Sequence, residues 1–359
     1  MIPYVLLIAF PVLVRMVSEK YRFTVGKKLL YETSTGSIDI FMILFLLLLA
    51  LRGTQCGIDT RQYLRLFNEY STQSVSRLLS THNHELGYKL LNRTVGFAGG
   101  GYQVLLAVTA FVCVYPLWHF YRRESENQLL TISLFLSVAP FVMYFSGIRQ
   151  AMAMSMGVFA WYCARNKRPI LFAAVILLAM QFHISAFVLV ILYPLYHLKI
   201  TRRWLWFVVP CMVLVYIFKT QLFTFLIAIF WSEGASIQRT GATTVLMLLI
   251  LFGIYSYIIP DEKSMDKDTI ALRNMLLCSI TFQFFAMLHP WAMRFNYYLL
   301  IFIPILIPKI VSQSKKTYKQ IADISVVIMT VYFLYNFAMI EFAGNDDLNV
   351  FPYIPFWKQ

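Results

Sequence analysis

The sequence predicts an all-α membrane protein that crosses the bilayer about twelve times and forms a single integral-membrane domain over residues 1–359. Hydrophobic residues make up 59% of the 359-residue chain and charged residues 13%, and the mean hydropathy is +0.66. An ordinary soluble domain carries about 25% charged residues. The apolar residues form continuous runs rather than alternating patterns, which favours membrane-spanning helices over strands.

Twelve apolar runs predict the spans, with lengths close to the roughly 20 residues that a helix needs to cross a bilayer. They occupy residues 3–16, 38–51, 102–120, 129–146, 149–164, 169–182, 184–198, 203–219, 243–259, 270–288, 293–311 and 321–340. A further run at 220–231 is too short for a span and is interpreted as a re-entrant or interfacial segment. The first run lacks the basic start and the cleavage site of a signal peptide, so it is interpreted as a span.

Basic residues set the orientation of these spans. With the N-terminus outside, the loops that become cytoplasmic hold 20 of the 31 lysines and arginines, as expected from the tendency of cationic loops to stay inside. This distribution accounts for the net charge of +14 without nucleic acid as a partner. A loop with short helices at 52–101 and a C-terminal tail at 341–359 then lie on the extracytoplasmic side.

The metal-ligating residue types are too scattered to predict a metal site. Four of the five cysteines lie in apolar runs, where they are typical small buried side chains. His82, His84 and Glu85 share one loop, but no cysteine or histidine elsewhere completes a ligand set at a recognisable spacing. The adjacent acids of "NDD" at 345–347 lie in the tail. We therefore expect neither a metal nor another cofactor.

The segment "LRGTQCGIDTRQYLRLF" at 51–67 places polar residues directly after an apolar run. Asp59 and Gln62 have the spacing of a capping pair at the start of a helix. Asp59 is therefore predicted either to cap this helix or to act as a base, and Tyr63 shares its helical face. Arg52, at the end of the apolar run, is a candidate ligand for an anionic substrate.

Four more polar residues fall at or near predicted outer turns: Glu85, Arg149, His183 and Arg294. Glu85 begins the helical segment "ELGYKLLNRTV" and is a candidate acid or base. The two arginines lie at the edge of spans, where a cation is costly unless it is paired or solvated. Each residue also has an ordinary interpretation, because an arginine can extend to lipid headgroups and an interfacial histidine can be structural.

These candidates all fall on the same predicted side of the membrane, although the orientation was taken from the loops on the other side. Cations on the outer side oppose the orienting rule. Guanidinium groups bind phosphate through two parallel hydrogen bonds. The pattern therefore predicts an anion-binding site at the outer leaflet, where a lipid-linked pyrophosphate is the expected anion.

Several short motifs occur in a fixed order along the chain. The pattern R-x(4)-G-x-D-x(3)-Y-x(3)-F is carried by Arg52, Gly57, Asp59, Tyr63 and Phe67. It is followed by "ELGY" at 85–88, "SGIRQ" at 146–150, "FHISA" at 182–186 and the aromatic and proline-containing tail "FPYIPF". In sequence and in order these motifs resemble the EpsG-type family of Wzy-like polysaccharide polymerases.

The resemblance implies a GT-C-like glycosyltransferase of the bacterial inner membrane with its active site facing the periplasm or the outside. Such an enzyme joins undecaprenyl-pyrophosphate-linked oligosaccharide repeats into an O-antigen, capsule or exopolysaccharide and releases undecaprenyl pyrophosphate. Membrane lipid is then a partner. The sequence leaves open whether a protein that regulates chain length is a second partner. Direct displacement would invert the anomeric configuration.

This chemistry needs a base and groups that bind the pyrophosphate and the sugars. The candidates for the base are Asp59, Glu85 and His183. The substrate-binding candidates are the outer arginines and the polar or aromatic residues of the motifs: Arg52, Arg149, Gln150, Arg294, Tyr63, Tyr88 and Tyr297. The sequence does not decide between the two carboxylates as the base.

Three other functions share parts of this pattern. A transporter or flippase of the same lipid predicts charged or broken helices near mid-membrane and an internal repeat, and the sequence shows neither. An O-acyltransferase of surface glycans commonly receives its donor from the cytoplasm, whereas these polar residues face outward. A ligase that transfers the finished glycan from the same lipid uses nearly the same chemistry, and the sequence separates it poorly from a polymerase.

Overall fold

The computed structural model describes most of the chain in several stretches. They comprise residues 3–7, 9, 13, 36–81, 83–138, 140–230, 237, 242–263, 265–313, 319–343 and 349–358. Within these stretches every regular element is a helix, and the only β contact is an isolated antiparallel bridge between Arg52 and Pro355. The all-α prediction is therefore confirmed. Half of the predicted span at 3–16, together with His82 and the acids at 345–347, lies outside the described residues.

The α-helices of these stretches are numbered in chain order. They are α1 (Gly36–Leu51), α2 (Thr60–Tyr70), α3 (Val75–Ser80), α4 (Leu86–Phe97), α5 (Tyr102–Glu124), α6 (Gln128–Ser137), α7 (Met143–Ser146), α8 (Ile148–Arg165), α9 (Pro169–Met180), α10 (Leu192–His197), α11 (Leu205–Ile217), α12 (Lys219–Phe230), α13 (Thr243–Ile258), α14 (Lys267–Ala286), α15 (Pro290–Leu300), α16 (Ile303–Ser312) and α17 (Lys319–Ala343). Shorter 3-10 helices cover Ile184–Ile191, Arg202–Trp204 and Phe356–Lys358.

Among the described residues, α5 and α14 are each long and apolar enough to cross a membrane. The number rises to four if each of two bent pairs is one span: Arg202–Ile217 with Lys219–Ala228, bent by 71°, and α15 with α16, bent by 43°. Other apolar helices are shorter, at 10–17 residues. The expected count of twelve spans is therefore not confirmed, although these apolar helices are those of a membrane-embedded protein.

Hydropathy alone did not predict the breaks within the apolar runs. The predicted span at 129–146 is divided because α6 ends at Ser137, and Pro140 lies before α7. Proline has no N–H to donate and disfavours a helical conformation in the residue before it. Pro304 lies just after the break between α15 and α16. The bent helix over the 220–231 run is compatible with a re-entrant or interfacial segment.

Helix α5 is central to the bundle, since it packs against both α1 and α8. The ring of Phe120 near its C-terminal end contacts the rings of Trp161 and Phe302 at centroid distances of 6.2 and 5.6 Å. All three side chains are fully buried. Such aromatic pairs contribute about 0.5–1.5 kcal/mol each beyond the burial of their surface, so they hold α5 and α8 against the break between α15 and α16.

Three buried charges and the partly exposed Arg165 form an ion network at the C-terminal end of α5. Arg165 donates from Nη1 to Glu124 Oε1 at 2.7 Å, and its Nη2 lies 2.8 Å from Asp268 Oδ2. Lys309 Nζ lies 3.6 Å from the second oxygen of Glu124. Buried charges are tolerated when they are paired in this way. The network joins α5, α8, α14 and α16 at one end of the bundle.

The opposite end of α5 lies beside the segment that follows α1. Tyr102 donates from its hydroxyl to the carbonyl of Thr60 at 2.9 Å. The C-terminal segment 349–358 lies on the same region, because Gly53 N donates to Ile354 O at 2.8 Å and Gly57 N to Asn349 O at 2.6 Å. The start of α2 and the C-terminal segment therefore share one end of the bundle, and the ion network occupies the other.

Candidate active site

Polar side chains from five separate parts of the chain converge near the start of α2. They come from the residue before α2, the residue before α4, the start of α8, the turn before the 3-10 helix Ile184–Ile191, and α15. The side chains lie close enough for their charges to shift the pKa values of their neighbours. They are Asp59, Glu85, Arg149, His183 and Arg294. The structure thus brings together five residues that the sequence predicted only to share one side of the membrane.

An ion pair between Glu85 and Arg149 lies at the centre of this site. Arg149 Nη1 lies 2.5 Å from Glu85 Oε2, and the two side chains are only 20% and 16% exposed. The other carboxylate oxygen accepts a hydrogen bond from the backbone N–H of Ile184 at 3.1 Å. Burial raises the pKa of Glu85, but the Arg149 guanidinium and the Ile184 N–H outweigh it and hold the pKa below its usual value.

Gly87 allows this arrangement because α4 starts in close contact with the turn that follows α9. A Cβ atom at residue 87 would lie 2.7 Å from the carbonyl oxygen of Gln181 and 2.8 Å from its Cβ. Tyr88 N also donates to the same carbonyl at 3.2 Å. Only glycine fits such a close approach, and that approach places Glu85 beside Ile184.

Asp59 does not cap α2, so the prediction of a capping side chain is wrong. The helix begins at Thr60, and the Asp59 side chain makes no capping hydrogen bond. The backbone carbonyl of Asp59 accepts from Tyr63 N at 2.9 Å, while its φ and ψ of −87° and −5° lie in the helical region. Capping side chains normally belong to residues with extended backbone, which explains the failure of the predicted pair with Gln62.

The Asp59 carboxylate instead faces the two arginines of the site. It is half-buried, and burial raises its pKa, whereas Arg294 and Arg149 lower it by smaller amounts. It forms no ion pair or hydrogen bond with any described residue. Asp59 is therefore a carboxylate with a raised pKa and unused acceptor capacity, unlike Glu85, whose two oxygens are both engaged.

Arg294 is positioned by a hydrogen bond from a side chain of α8 to the backbone of α15. Gln150 Nε2 donates to the carbonyl oxygen of Arg294 at 2.7 Å. The Gln150 side chain is buried, and its Oε1 has no donor among the described residues. The Arg294 guanidinium is half-buried and makes no ion pair within the described part of the chain. It is therefore a cation held close to Asp59, with donors available to a ligand.

Aromatic side chains line the site beside Arg149. The guanidinium carbon of Arg149 lies 5.9 Å from the ring centroid of Tyr88, and the rings of Tyr63 and Tyr88 are 5.7 Å apart. The Tyr63 hydroxyl also interacts with Arg149. Tyr297 lies on α15 within electrostatic range of Arg294. These rings provide the flat, partly apolar surface on which sugar rings and guanidinium groups stack.

His183 occupies the position before the 3-10 helix Ile184–Ile191 and caps it. Its Nδ1 accepts from Ser185 N at 3.3 Å and lies 2.6 Å from Ser185 Oγ, which in turn lies 2.9 Å from the Tyr298 hydroxyl. Burial lowers the pKa of His183 to about 4, with Glu85 raising it and Arg149 and Arg294 lowering it further. The imidazole is therefore neutral at pH 7.

Arg52 lies outside this cluster, so the structure does not bring it to the expected substrate site. Its side chain is 1% exposed and donates from Nη1 to Leu49 O at 2.8 Å. Its guanidinium carbon lies 6.0 Å from the Phe145 ring, and its backbone pairs with Pro355. Arg52 therefore connects the end of α1 to the C-terminal segment, and burial keeps its charge from a soluble or lipid-borne anion.

Sequence reasoning missed two hydroxyl groups of the site, those of Ser185 and Tyr298. The signal for Ser185 was its place two residues after a histidine that follows a helix, which is the spacing of a cap. Tyr298 carries no such signal, since it comes from a distant part of the chain.

Among the described residues, no three histidine, cysteine, aspartate or glutamate side chains converge as metal ligands. His84 Nδ1 lies 2.6 Å from the Tyr70 hydroxyl instead.

The fold and the site together define a membrane-embedded all-α protein with a site of paired arginines and carboxylates at one end of its bundle. The chain belongs to the EpsG family, whose sequence model matches residues 38–354, nearly the whole chain. This is a family of Wzy-like polysaccharide polymerases, so membership indicates a glycosyltransferase-like polymerase with a lipid-linked oligosaccharide substrate. No curated protein and no solved structure matches the chain.

Proposed function

We propose that this protein polymerises undecaprenyl-pyrophosphate-linked oligosaccharide repeats into a surface polysaccharide at the outer face of the bacterial inner membrane. The observation that carries the proposal is the convergence of Asp59, Arg149 and Arg294 in one site. It supplies a carboxylate with free acceptor capacity beside two guanidinium groups. These are the groups that glycosyl transfer from a pyrophosphate requires.

In the proposed reaction, a sugar hydroxyl of the incoming lipid-linked repeat attacks the anomeric carbon of the growing glycan. The hydroxyl proton passes to the Asp59 carboxylate as the new glycosidic C–O bond forms. The bond from the anomeric carbon to the pyrophosphate oxygen breaks, and undecaprenyl pyrophosphate leaves with the electron pair. One displacement of this kind inverts the anomeric configuration.

Asp59 is a better candidate for the base than Glu85 because of what each carboxylate already binds. Both Glu85 oxygens have donors, in Arg149 and in the backbone of Ile184. The raised pKa of Asp59 makes it the stronger base of the two when deprotonated. Glu85 then acts on the reaction by orienting Arg149.

Arg149 and Arg294 are proposed to bind the pyrophosphate and to stabilise the charge that develops on it. Guanidinium groups in a partly buried site are suited to this because they stay charged and present several donors in fixed directions. Arg294 offers all of its side-chain donors, whereas Arg149 shares some of them with Glu85. Two such cations supply the electrostatic stabilisation that many phosphate-transfer sites obtain from a metal ion, so the proposed transfer is metal-independent.

The outer-face location is supported by the two ends of α5. The end with the candidate site carries the C-terminal segment, and the other carries the network of Glu124, Arg165, Asp268 and Lys309. The loops next to that network include the basic segments "RRESE" and "RNKR". Basic loops favour the cytoplasmic side, which leaves the candidate site on the outer side.

Reconstitution of the purified protein in liposomes tests this function. With a synthetic undecaprenyl-pyrophosphate-linked repeat as the only glycan, we expect a ladder of longer glycans and one released undecaprenyl pyrophosphate for each linkage formed. The ladder should persist in EDTA. Movement of the lipid across the bilayer without new linkages would indicate a flippase, and transfer only to a different acceptor would indicate a ligase; either result overturns the proposal.

A further inference from the structure

We infer that His183 acts as a fixed hydrogen-bond donor through Nε2–H toward a phosphate oxygen of the lipid-linked substrate, and that Ser185 and Tyr298 are positioning residues that hold it in this tautomer. This inference rests on the proposed function for the identity of the ligand. It differs from the role expected from the sequence, in which His183 was a candidate base.

The backbone N–H of Ser185 determines which imidazole nitrogen carries the proton. An amide nitrogen can only donate, and Ser185 N lies 3.3 Å from His183 Nδ1. Nδ1 therefore accepts and carries no hydrogen in this arrangement. In a neutral imidazole the single proton must then lie on Nε2.

A chain of hydroxyl groups reinforces the same tautomer. Ser185 Oγ lies 2.6 Å from His183 Nδ1 and 2.9 Å from the Tyr298 hydroxyl, which is completely buried. If Tyr298 donates to Ser185 Oγ, the serine hydrogen is directed to Nδ1, and every member of the chain is satisfied. A proton on Nδ1 would leave two donors facing each other, which a buried site disfavours.

The charged surroundings of His183 favour a neutral donor over an imidazolium. Glu85, Arg149 and Arg294 face it from three other elements, and the Glu85 charge is already compensated by Arg149. Burial and the two arginines lower the pKa of His183 to about 4, so the ring stays neutral near pH 7. No described residue accepts a hydrogen bond from Nε2. The Nε2–H group is therefore available to an anionic ligand beside the two guanidinium groups.

This assignment also explains why His183 is poorly suited to be a base. A base needs a free lone pair, but the Nδ1 lone pair already accepts from Ser185 and the Nε2 position holds the proton. Proton uptake would break the cap of the 3-10 helix and place a third cation beside Arg149 and Arg294. A neutral Nε2–H group keeps the cap and adds no third cation, and it donates in the same direction throughout the reaction.

His289 provides an internal comparison with the same capping geometry. Its φ and ψ of −159° and 139° are close to the −158° and 122° of His183, and its Nδ1 accepts from Trp291 N at 3.1 Å. The side chain two residues later is tryptophan rather than serine, so no hydroxyl chain follows. The ring packs against Trp291 at 4.6 Å and experiences no shift from the site arginines.

Nitrogen-15 NMR of the imidazole groups tests the tautomer directly, without any assay of activity. We expect the His183 resonances, assigned by their loss in His183→Gln, to show protonated Nε2 and unprotonated Nδ1 at pH 7. Ser185→Ala and Tyr298→Phe keep the backbone N–H donor and remove only the hydroxyl chain, so they should lower the share of the Nε2–H tautomer without reversing it. Ser256→Ala, which removes a buried hydroxyl that donates to Gly253 O in its own helix, should not change that share. A protonated Nδ1 in the wild-type protein would overturn the inference.

A lipid titration tests the ligand. Undecaprenyl pyrophosphate in nanodiscs should shift the Nε2 resonance of His183 but not that of His289, and undecaprenol, which lacks phosphate, should shift neither. Equal shifts from both lipids, or none from either, would remove the phosphate as the ligand. These readouts stand apart from polymerisation, so failure of the proposed function alone would leave the tautomer result intact.

Paired substitutions then separate a donor from a base in the polymerisation assay. His183→Gln retains an N–H donor near the Nε2 position, whereas His183→Asn retains the cap but not that donor. We expect a rate loss of about 10²-fold in His183→Asn, with the wild-type melting temperature, and a smaller loss in His183→Gln with an unchanged pH profile. His183 would be assigned as the base if both variants fold and lose the same amount of activity, and if their rates no longer fall at acid pH as the wild-type rate does.

Discussion

Glu85 holds Arg149 with one carboxylate oxygen and the backbone N–H of Ile184 with the other, at 2.5 and 3.1 Å. This single side chain joins the start of α4 to α8 and to the turn that carries His183. The pair is mostly buried, so its two charges are less screened than those of a surface ion pair. Glu85 thus contributes to stability and to the orientation of the arginine at the same time.

The first prediction concerns the pH dependence of this contribution. Because the folded-state pKa of Glu85 is lowered, its stabilisation is present above the unfolded pKa of about 4.3 and is lost as the pH falls through the folded value. Glu85→Gln should lower the melting temperature in detergent at pH 7, corresponding to about 1–3 kcal/mol. The difference from wild type should shrink steadily below roughly pH 4. A difference that stays constant well below that range would contradict the ion pair.

The second prediction concerns Arg149 itself. Arg149→Ala removes a guanidinium proposed to bind the pyrophosphate, and we expect the product ladder to fall by at least about 10²-fold. Arg149→Lys should recover little, because an ammonium group lacks the planar pair of donors. The exposed Arg65 on α2 is the matched control, and Arg65→Ala should polymerise normally.

Loss of activity in Arg149→Ala could also result from destabilisation of the fold. A double variant distinguishes this explanation from the loss of substrate binding. The single change leaves Glu85 as a buried carboxylate without its cation, which destabilises the site. Glu85→Gln combined with Arg149→Ala removes both charges and should regain thermal stability without regaining the ladder. A double variant with restored polymerisation would remove Arg149 from substrate binding.

The sequence allowed the prediction of the group of site residues but not of their partners. The motifs around Asp59, Glu85, Arg149 and His183 were predicted to share one side of the membrane from the orientation assigned to the spans, and an arginine on that side opposes the orienting rule. The pairing of Glu85 with Arg149 depends on a tertiary approach at Gly87 that no local pattern encodes. The same holds for the hydrogen bond between Ser185 and Tyr298, which are 113 positions apart in the chain.

The structure differs from the sequence-based expectation at two of these residues for identifiable physical reasons. Arg52 was a candidate ligand for an anionic substrate, but its side chain is buried and donates to Leu49 O at the end of α1. Of the two roles left open for Asp59, the capping role does not hold, because its backbone angles are helical and its side chain makes no capping hydrogen bond. Hydropathy likewise does not predict the bends that divide long apolar runs into shorter helices.

The third prediction separates Asp59 from Glu85 as the base. Asp59→Asn should reduce the polymerisation rate by about 10²–10⁴-fold and leave the melting temperature close to wild type, because the side chain caps nothing. Glu69→Gln on the exposed face of the same helix is the control and should be active. A nearly active Asp59→Asn, together with an inactive but folded Glu85→Gln, would transfer the assignment to Glu85.

The fourth prediction uses the charge beside Asp59. A base must be deprotonated, so the wild-type rate should fall as the pH drops through the raised pKa of Asp59. Arg294 lowers that pKa in the folded protein. The residual activity of Arg294→Gln should therefore show an acid limb at higher pH than that of wild type. An acid limb that stays in place would show that the titrating group is not close to Arg294.

The fifth prediction concerns Gly57, which fixes the approach of the chain to Asp59. Its backbone φ of +102° is one that residues with a side chain rarely adopt. A Cβ atom at this position would also collide with the carbonyl oxygen of Phe145, just before the "SGIRQ" motif. Gly57→Ala should therefore cost about 1–3 kcal/mol of stability and displace Asp59 from the arginines, so that both melting temperature and ladder formation fall.

Gly101→Ala is the matched control for this change, because Gly101 has a φ of −85° and no atom lies within 4 Å of a Cβ there. It should leave both the melting temperature and the ladder unchanged. If Gly57→Ala melts like wild type and polymerises normally, the contact between the start of α2 and Phe145 is not what positions Asp59. If it melts lower but polymerises normally at low temperature, the glycine stabilises the fold without setting the geometry of the site. The predicted result is a loss of polymerisation even well below the melting temperature, since the collision lies only two residues from the proposed base.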